Sequence, residues 1–270
     1  MKLKFLEHLL VSDLHLNIYK LTLQYKGSNY SGFQVQIKDR TIQGELNNAL
    51  KILAKSEDIK SIGSGRTDAG VHALGQVVKV EIPVDIPEMG LLKGLNSHLP
   101  HDIRVIKSEK TTEQFHPIYS AHSKEYNYVF STKEMITPFA DELVTHFPFE
   151  LDIEQMKKGC QIFCGEHDFI NYQCTGTDVE TTVRKILECE LQHFHGEGHF
   201  KELLDDYYVL RVVGTGFLKQ MVRLMMGALW SLGRGKITLE ELEKSLKMPL
   251  ERRLGATAPP QGLYLKEVHY

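Results

Sequence analysis

In the stretch from Ser61 to Ile82 the glycine-rich part places a carboxylate, Asp68, two residues after a cation, Arg66, among Gly63, Gly65, Gly70 and Gly75. Four glycines within thirteen residues point to a tight turn or a close approach by another group. Three chemistries compete for such a stretch. Glycine-rich backbone amides can cradle phosphate, but loops of that kind open a helix. This one carries an acid and runs into an alternating, strand-like pattern. Asp68 could instead cap its own backbone in a plain turn. The third reading is an active-site carboxylate, kept ionised by Arg66 and pushed outward by the glycines, as a nucleophile requires.

A second charged residue stands out. From Gly216 to Leu232 the spacing predicts a helix with Phe217, Met221, Leu224, Met225, Ala228 and Leu229 on one arc. Leu218, Val222 and Met226 widen it, leaving Lys219, Gln220 and Arg223 as a narrow polar stripe. An arginine on so apolar a helix either snorkels to water or pairs with a carboxylate in a cleft. Asp68 is the obvious partner.

Other elements must carry these groups. Tyr19 to Tyr25 alternates as a strand, and Thr41 is placed to cap a helix that buries Ile42, Leu46, Ala49, Leu50 and Leu53. After Leu74, Gln76, Val78, Val80 and Ile82 share one strand face, with Val77, Lys79 and Glu81 on the other. A helix at Leu91–Leu95 stops before Pro100, and a strand follows at Ile103–Ile106. Lys124 to Phe130 reads as a strand with Tyr126, Tyr128 and Phe130 on one face, suited to a core or, at a strand end, to stacking on a base. A helix through Ile153, Met156, Cys160 and Phe163 ends at Gly165. Strands beginning at Thr182-Val183-Arg184 and carrying Leu187, Cys189 and Leu191, and at Tyr208–Val212, a short helix at Leu239–Leu246 and a last strand near Leu263–Leu265 complete the pattern.

With 270 residues the chain suits one large domain or two moderate ones, and 42% apolar with 25% charged residues is ordinary for a globular protein. A net charge of -3 rules out a polycation, so any nucleic-acid surface must be local. Tyr207 to Leu239 contains no acid but has Arg211, Lys219, Arg223, Arg234 and Lys236, whereas Asp141 to Glu154 reads as a solvated acidic face. Cys160, Cys164, Cys174 and Cys189 fit no zinc spacing, and His167-Asp168 lacks a third ligand nearby, so free thiols and no metal are expected. Met1 to Asn17 is broken by Glu7, His8, Asp13 and His15, unlike a signal peptide, and no apolar run is long enough to span a bilayer. A cytoplasmic protein is the expectation.

Arg66-Thr67-Asp68-Ala69-Gly70-Val71-His72-Ala73 resembles the catalytic-aspartate motif of the TruA family of transfer-RNA pseudouridine synthases. Gly32-Phe33-Gln34-Val35-Gln36 resembles its Gly-Trp-Gln-x-Gln segment, with Phe33 in place of Trp. Leu95 to Ile103 resembles its Leu-Asn-x-x-Leu-Pro-x-Asp-Ile segment, and Phe115-His116 and Ser120-Ala121 continue the match. Gly165 to Phe169 resembles a family turn, Gly216 to Arg223 the motif whose arginine supports the aspartate, and Gly255 to Leu265 the closing segment. Ile118 and Lys124 depart from it, standing where the family often has arginine; lysine keeps a charge for phosphate but not a bidentate fork.

The resemblance spans Tyr19 to Tyr270. It implies an α+β fold of two similar mixed α/β domains with antiparallel sheets flanking a central cleft: residues 19–118 with the catalytic loop and 119–270 completing the site. Residues 1–18 form an extension of unassigned role. It implies a homodimer that needs no cofactor and isomerises uridines 38, 39 and 40 in the anticodon arm of tRNA. Asp68 would attack C1' or C6, Tyr126 would lie against the extruded base, and Arg223 would support Asp68. Arg66 would hold the loop or fill the displaced nucleotide's space, and Leu263 or Leu265 would line the uridine pocket. Arg40 and Lys124 would meet phosphates, and Asp68 or Tyr126 would take the C5 proton. The alternatives are a synthase acting on another RNA, an inactive RNA-binding module, and a metal-dependent hydrolase using Asp68 and His72.

Overall fold

A computed structural model describes residues 16–174, 176 and 179–270. Most of the expected N-terminal extension therefore lies outside the described residues, and its last part, from Asn17, already belongs to the first strand.

The first half runs β1 (Asn17–Tyr25), α1 (Ile42–Ala54), β2 (Lys60–Gly63), β3 (His72–Ile82), α2 (Glu88–His98) and β4 (Ile103–Lys110). The second runs β5 (Ser123–Ser131), β6 (Thr145–His146), α3 (Ile153–Phe163), β7 (Gly165–Asp168), β8 (Val183–His195), β9 (Asp206–Gly214), α4 (Met221–Gly233), α5 (Leu239–Lys244) and β10 (Leu263–His269). The ten strands form one sheet in the order β4-β1-β3-β10-β5-β9-β8-β7, with β2 also on β3 and β6 also on β5. All pairs are antiparallel except β10 with β3 and β6 with β5. The turn expected over Gly165–Phe169 contains a short edge strand, Gly165–Asp168, paired with β8.

The last strand joins the halves. β10 lies between β3 of the first half and β5 of the second, so one row of paired residues crosses the sheet: Tyr25, Ala73, Leu265, Tyr126 and Val212. A bulge where Tyr25 meets Ala73 keeps Ala73 on the same face as Gln76, Val78 and Val80. β1 holds one edge of β3, so β2 and β10 share the other, β2 at residues 78–81 and β10 at residues 72–73. The chain leaves β2 into the gap between them, where the Asp68 loop begins.

Thr41 caps α1 by accepting from the Gly44 N–H. The rings of Tyr128 and Phe130 each pack nearly perpendicular to Trp230 from α4. β3 is covered on both faces, since Val77 and Lys79 are buried as well as Val78 and Val80. Cys160, Cys164 and Cys189 are free thiols, Cys160 and Cys189 buried. No helix among the described residues is long and apolar enough to cross a membrane.

Candidate active site

The loop from Ser64 to Val71 is pinned at its base by buried polar groups. The Ser64 N–H donates to the Val77 carbonyl at 2.7 Å, and the Ser64 hydroxyl donates to Gln76 Oε1 at 2.6 Å. Gln76 Nε2 donates to the Gly65 carbonyl at 2.8 Å. From β5, Lys124 Nζ donates to the Ser64 carbonyl at 2.6 Å, and burial pushes this ammonium's pKa down. Higher in the loop, the Phe33 N–H reaches the Thr67 carbonyl at 3.1 Å, and the hydroxyls of Thr67 and Tyr25 bond at 2.8 Å. Gly70 then turns the chain with φ +78°, and a Cβ there would lie 2.8 Å from the Pro260 ring. The backbone on both sides of Asp68 is thus held by groups from other elements, as a preorganised site requires.

Arg223 comes from the other half. Its Nη1 lies 3.3 Å from Asp68 Oδ2, with the two side chains 12% and 21% exposed, so the pair is largely dry but still accessible. The guanidinium Nε donates to the Ala258 carbonyl at 2.7 Å, and the Ala258 N–H donates back to the Arg223 carbonyl at 3.1 Å. Among the described residues the Asp68 carboxylate accepts from Arg223 and from no backbone amide, so it does not cap its own turn. Its cation is Arg223 rather than the neighbouring Arg66. Thr67 turns inward to Tyr25, and Arg66 is left exposed, with no carboxylate partner among the described residues.

The sequence pattern starts the Arg223 helix too early. α4 begins at Met221, after Gln220 in a left-handed conformation (φ 64°, ψ 6°), so Arg223 lies in the first turn. Phe217 and Leu218 fit the apolar period but lie in the irregular segment ahead of α4, where Phe217 packs edge-on against Tyr126 at 4.8 Å between centroids. Tyr126 is buried, and burial together with the Asp68 charge raises its pKa above the usual phenol range. Leu265, opposite Tyr126 in the sheet, is fully buried and Leu263 nearly so.

The other candidates are spread around this core. Arg40 is exposed, paired with Glu45 at 2.6 Å, and its guanidinium lies over the Tyr30 ring at 4.7 Å. Of the basic run between Tyr207 and Leu239, Arg211 is committed to Glu125 and Glu188, and Arg223 to Asp68; Lys219, Arg234 and Lys236 stay exposed.

His72 is no candidate base. Its Nδ1 accepts from the Gly27 N–H at 2.9 Å, which makes Nε2 the protonated nitrogen that donates to the Gln261 carbonyl at 3.1 Å. Burial lowers its pKa, and it stacks on Tyr264. Sequence reasoning missed three supports: the Lys124–Ser64 contact, the Gln76 hub and the His72 bridge. Only Gln76 left a signal, as a polar residue on the inward face shared with Val78, Val80 and Ile82.

The family described as tRNA pseudouridine synthase matches residues 22–120 and 160–270 of this chain. A tRNA pseudouridine synthase A of Bacillus pumilus is 39% identical over 252 residues, covering 93% of this chain and 98% of that protein. A protein of the same name from Lacticaseibacillus casei is 36% identical, covering 93% and 99%. One from Oceanobacillus iheyensis is 39% identical, covering 93% and 96%.

Proposed function

Because this chain belongs to the tRNA pseudouridine synthase family, we propose that it isomerises uridine to pseudouridine in transfer RNA with Asp68 as nucleophile. The observation that carries the reading is the Asp68–Arg223 pair, built from both halves of the chain, whose carboxylate charge is felt by the buried Tyr126. The reaction breaks the C1'–N1 bond and forms C1'–C5; C5 loses a proton and N1 gains one, so nothing is consumed. The target base must first leave its stack, at about a few kcal/mol. Tyr126 lies against the extruded base, and Arg223 aims the carboxylate at C1' or C6. The raised pKa of Tyr126 keeps its phenol protonated near neutral pH, which leaves the Asp68 carboxylate as the better acceptor for the C5 proton.

The substrate is the anticodon arm, at uridines 38, 39 and 40, and the working form is a homodimer; both rest on the family resemblance. The two halves, 19–118 and 119–270, close on the nucleotide from either side. The exposed guanidinium of Arg66 steadies the loop or fills the displaced nucleotide's space, and the exposed Arg40 meets phosphate; Lys124, expected to do the same, is instead engaged with the Ser64 carbonyl beneath the loop. Leu263 or Leu265 bounds the uridine pocket.

The test is tritium release from C5-labelled uridine in tRNA, with chelator present. Wild-type release that falls at least ~10³-fold in Asp68→Asn, with tRNA still bound, supports the synthase. Binding without release by the wild type would identify an RNA-binding module, and release lost on chelation would identify a metal-dependent enzyme. tRNA transcripts with uridine removed from 38, 39 or 40 in turn report the target positions.

A further inference from the structure

We propose that His193, His195 and Asp206, at the end of the β8–β9 hairpin, form a binding site for a divalent transition-metal ion of the zinc class. The register builds the site. His193 and His195 alternate onto one face of β8, and Asp206 on β9 stands directly opposite His195 and diagonal to His193. Asp206 Oδ1 lies 2.5 Å from His193 Nε2 and 3.4 Å from His195 Nδ1, and one ligand atom from each residue falls within 4.8 Å of the others. A tetrahedral zinc with bonds of about 2.0–2.2 Å sets its ligand atoms roughly 3.3–3.5 Å apart, so small side-chain rotations complete the set.

Two of the three ligands are held in advance. The His193 ring stacks on Tyr208 at 4.3 Å and 9°, and Tyr208 stacks on the buried Phe130 at 5.3 Å, so the imidazole ends a column of rings rising from the core. The Asp206 carbonyl accepts from the Ser131 hydroxyl at 2.7 Å, which ties that ligand's backbone to β5. Two imidazoles and a carboxylate suit Zn²⁺, Co²⁺ or Ni²⁺ rather than Mg²⁺ or Ca²⁺, and leave a fourth position for water. The three side chains are 40%, 71% and 30% exposed, so an ion can reach them from solvent. It is the only such cluster among the described residues. None of its members contacts Asp68 or Arg223, so the ion would clamp the hairpin rather than join the isomerisation.

The experiment uses the chelator-stripped full chain. Titration with Zn²⁺ alone is expected to show one saturable equivalent per chain and a raised Tm. His193→Gln/His195→Gln should weaken binding beyond the ~10–100-fold that loss of even an outer partner costs, and abolish the Tm shift. Asp206→Asn, close in shape, should weaken it in the same direction, with tritium release unchanged in both variants to show that each folds. Co²⁺ should give d–d bands without thiolate charge transfer. No saturable binding, binding unchanged in both variants, or a thiolate band placing the ion on cysteines would overturn the proposal.

Discussion

Arg223 and Asp68 are 155 residues apart in the chain and 3.3 Å apart in space, and the same guanidinium donates to the Ala258 carbonyl at 2.7 Å. One planar group thus meets two demands at a fixed angle: a carboxylate on one side and the closing segment on the other. A lysine cannot meet both, because its ammonium is a point charge on a flexible stem. Neither half of the sheet has a complete site alone, and the pair forms only because β10 brings the halves side by side.

Replacing Arg223 tests that geometry. Arg223→Leu is expected to lower kcat by about 10²–10³-fold, the loss typical of one preorganised charge-stabilising group, while the Kd for tRNA changes by less than about threefold. Arg223→Lys should recover only part of the rate. Single-turnover rates and equilibrium binding separate the two effects. Matching losses in rate and affinity would make Arg223 an ordinary phosphate contact.

The sequence made some of this legible and hid the rest for physical reasons. Strands such as Tyr19–Tyr25 and Lys124–Phe130 are readable because one face of each is buried and alternation records burial. The start of α4 is not, because periodicity is blind to φ. Phe217 and Leu218 have the right spacing, yet they serve an irregular segment that ends at the left-handed Gln220. The sequence offers Asp68 two cations: Arg223, isolated on an apolar helix, which does pair with it, and Arg66, close in sequence, from which it is separated by Thr67 turning inward. Lys124 shows the same limit from the other side. Its contact with the Ser64 carbonyl links residues 60 apart, and no local pattern encodes it.

The close approach of α4 to the closing segment gives a second test. A Cβ on Gly227 would lie 1.9 Å from the Ala256 carbonyl oxygen, a backbone atom that cannot swing aside. Alanine is the better helix former by ~1 kcal/mol, so propensity alone predicts that Gly227→Ala stabilises the protein. The clash predicts the reverse: a net loss of about 1–3 kcal/mol in urea unfolding. Ala258, two residues beyond Ala256, holds Arg223, so kcat should fall as well. A variant more stable than wild type would show that the segment does not sit against the helix at this distance.

His72 makes the pH dependence testable. It is buried with Nδ1 accepting from Gly27 and Nε2 donating to Gln261, and desolvation lowers its pKa from 6.5. In the unfolded chain the imidazole takes a proton as pH falls through about 6.5, while the folded imidazole resists it. Between the lowered folded value and 6.5 the unfolded state therefore binds more protons, so this group's contribution is full above 6.5 and is lost as pH falls. His72→Gln should cost about 1–3 kcal/mol at pH 7.5 by leaving a buried donor or acceptor unmatched. Measured by urea midpoints, that deficit should shrink toward pH 5.5, because only the wild type carries the linkage. The pH–rate profile of the variant should keep the wild-type shape, since this ring touches no reacting atom. A deficit that grows on acidification would mean that the folded protein holds the imidazole charged.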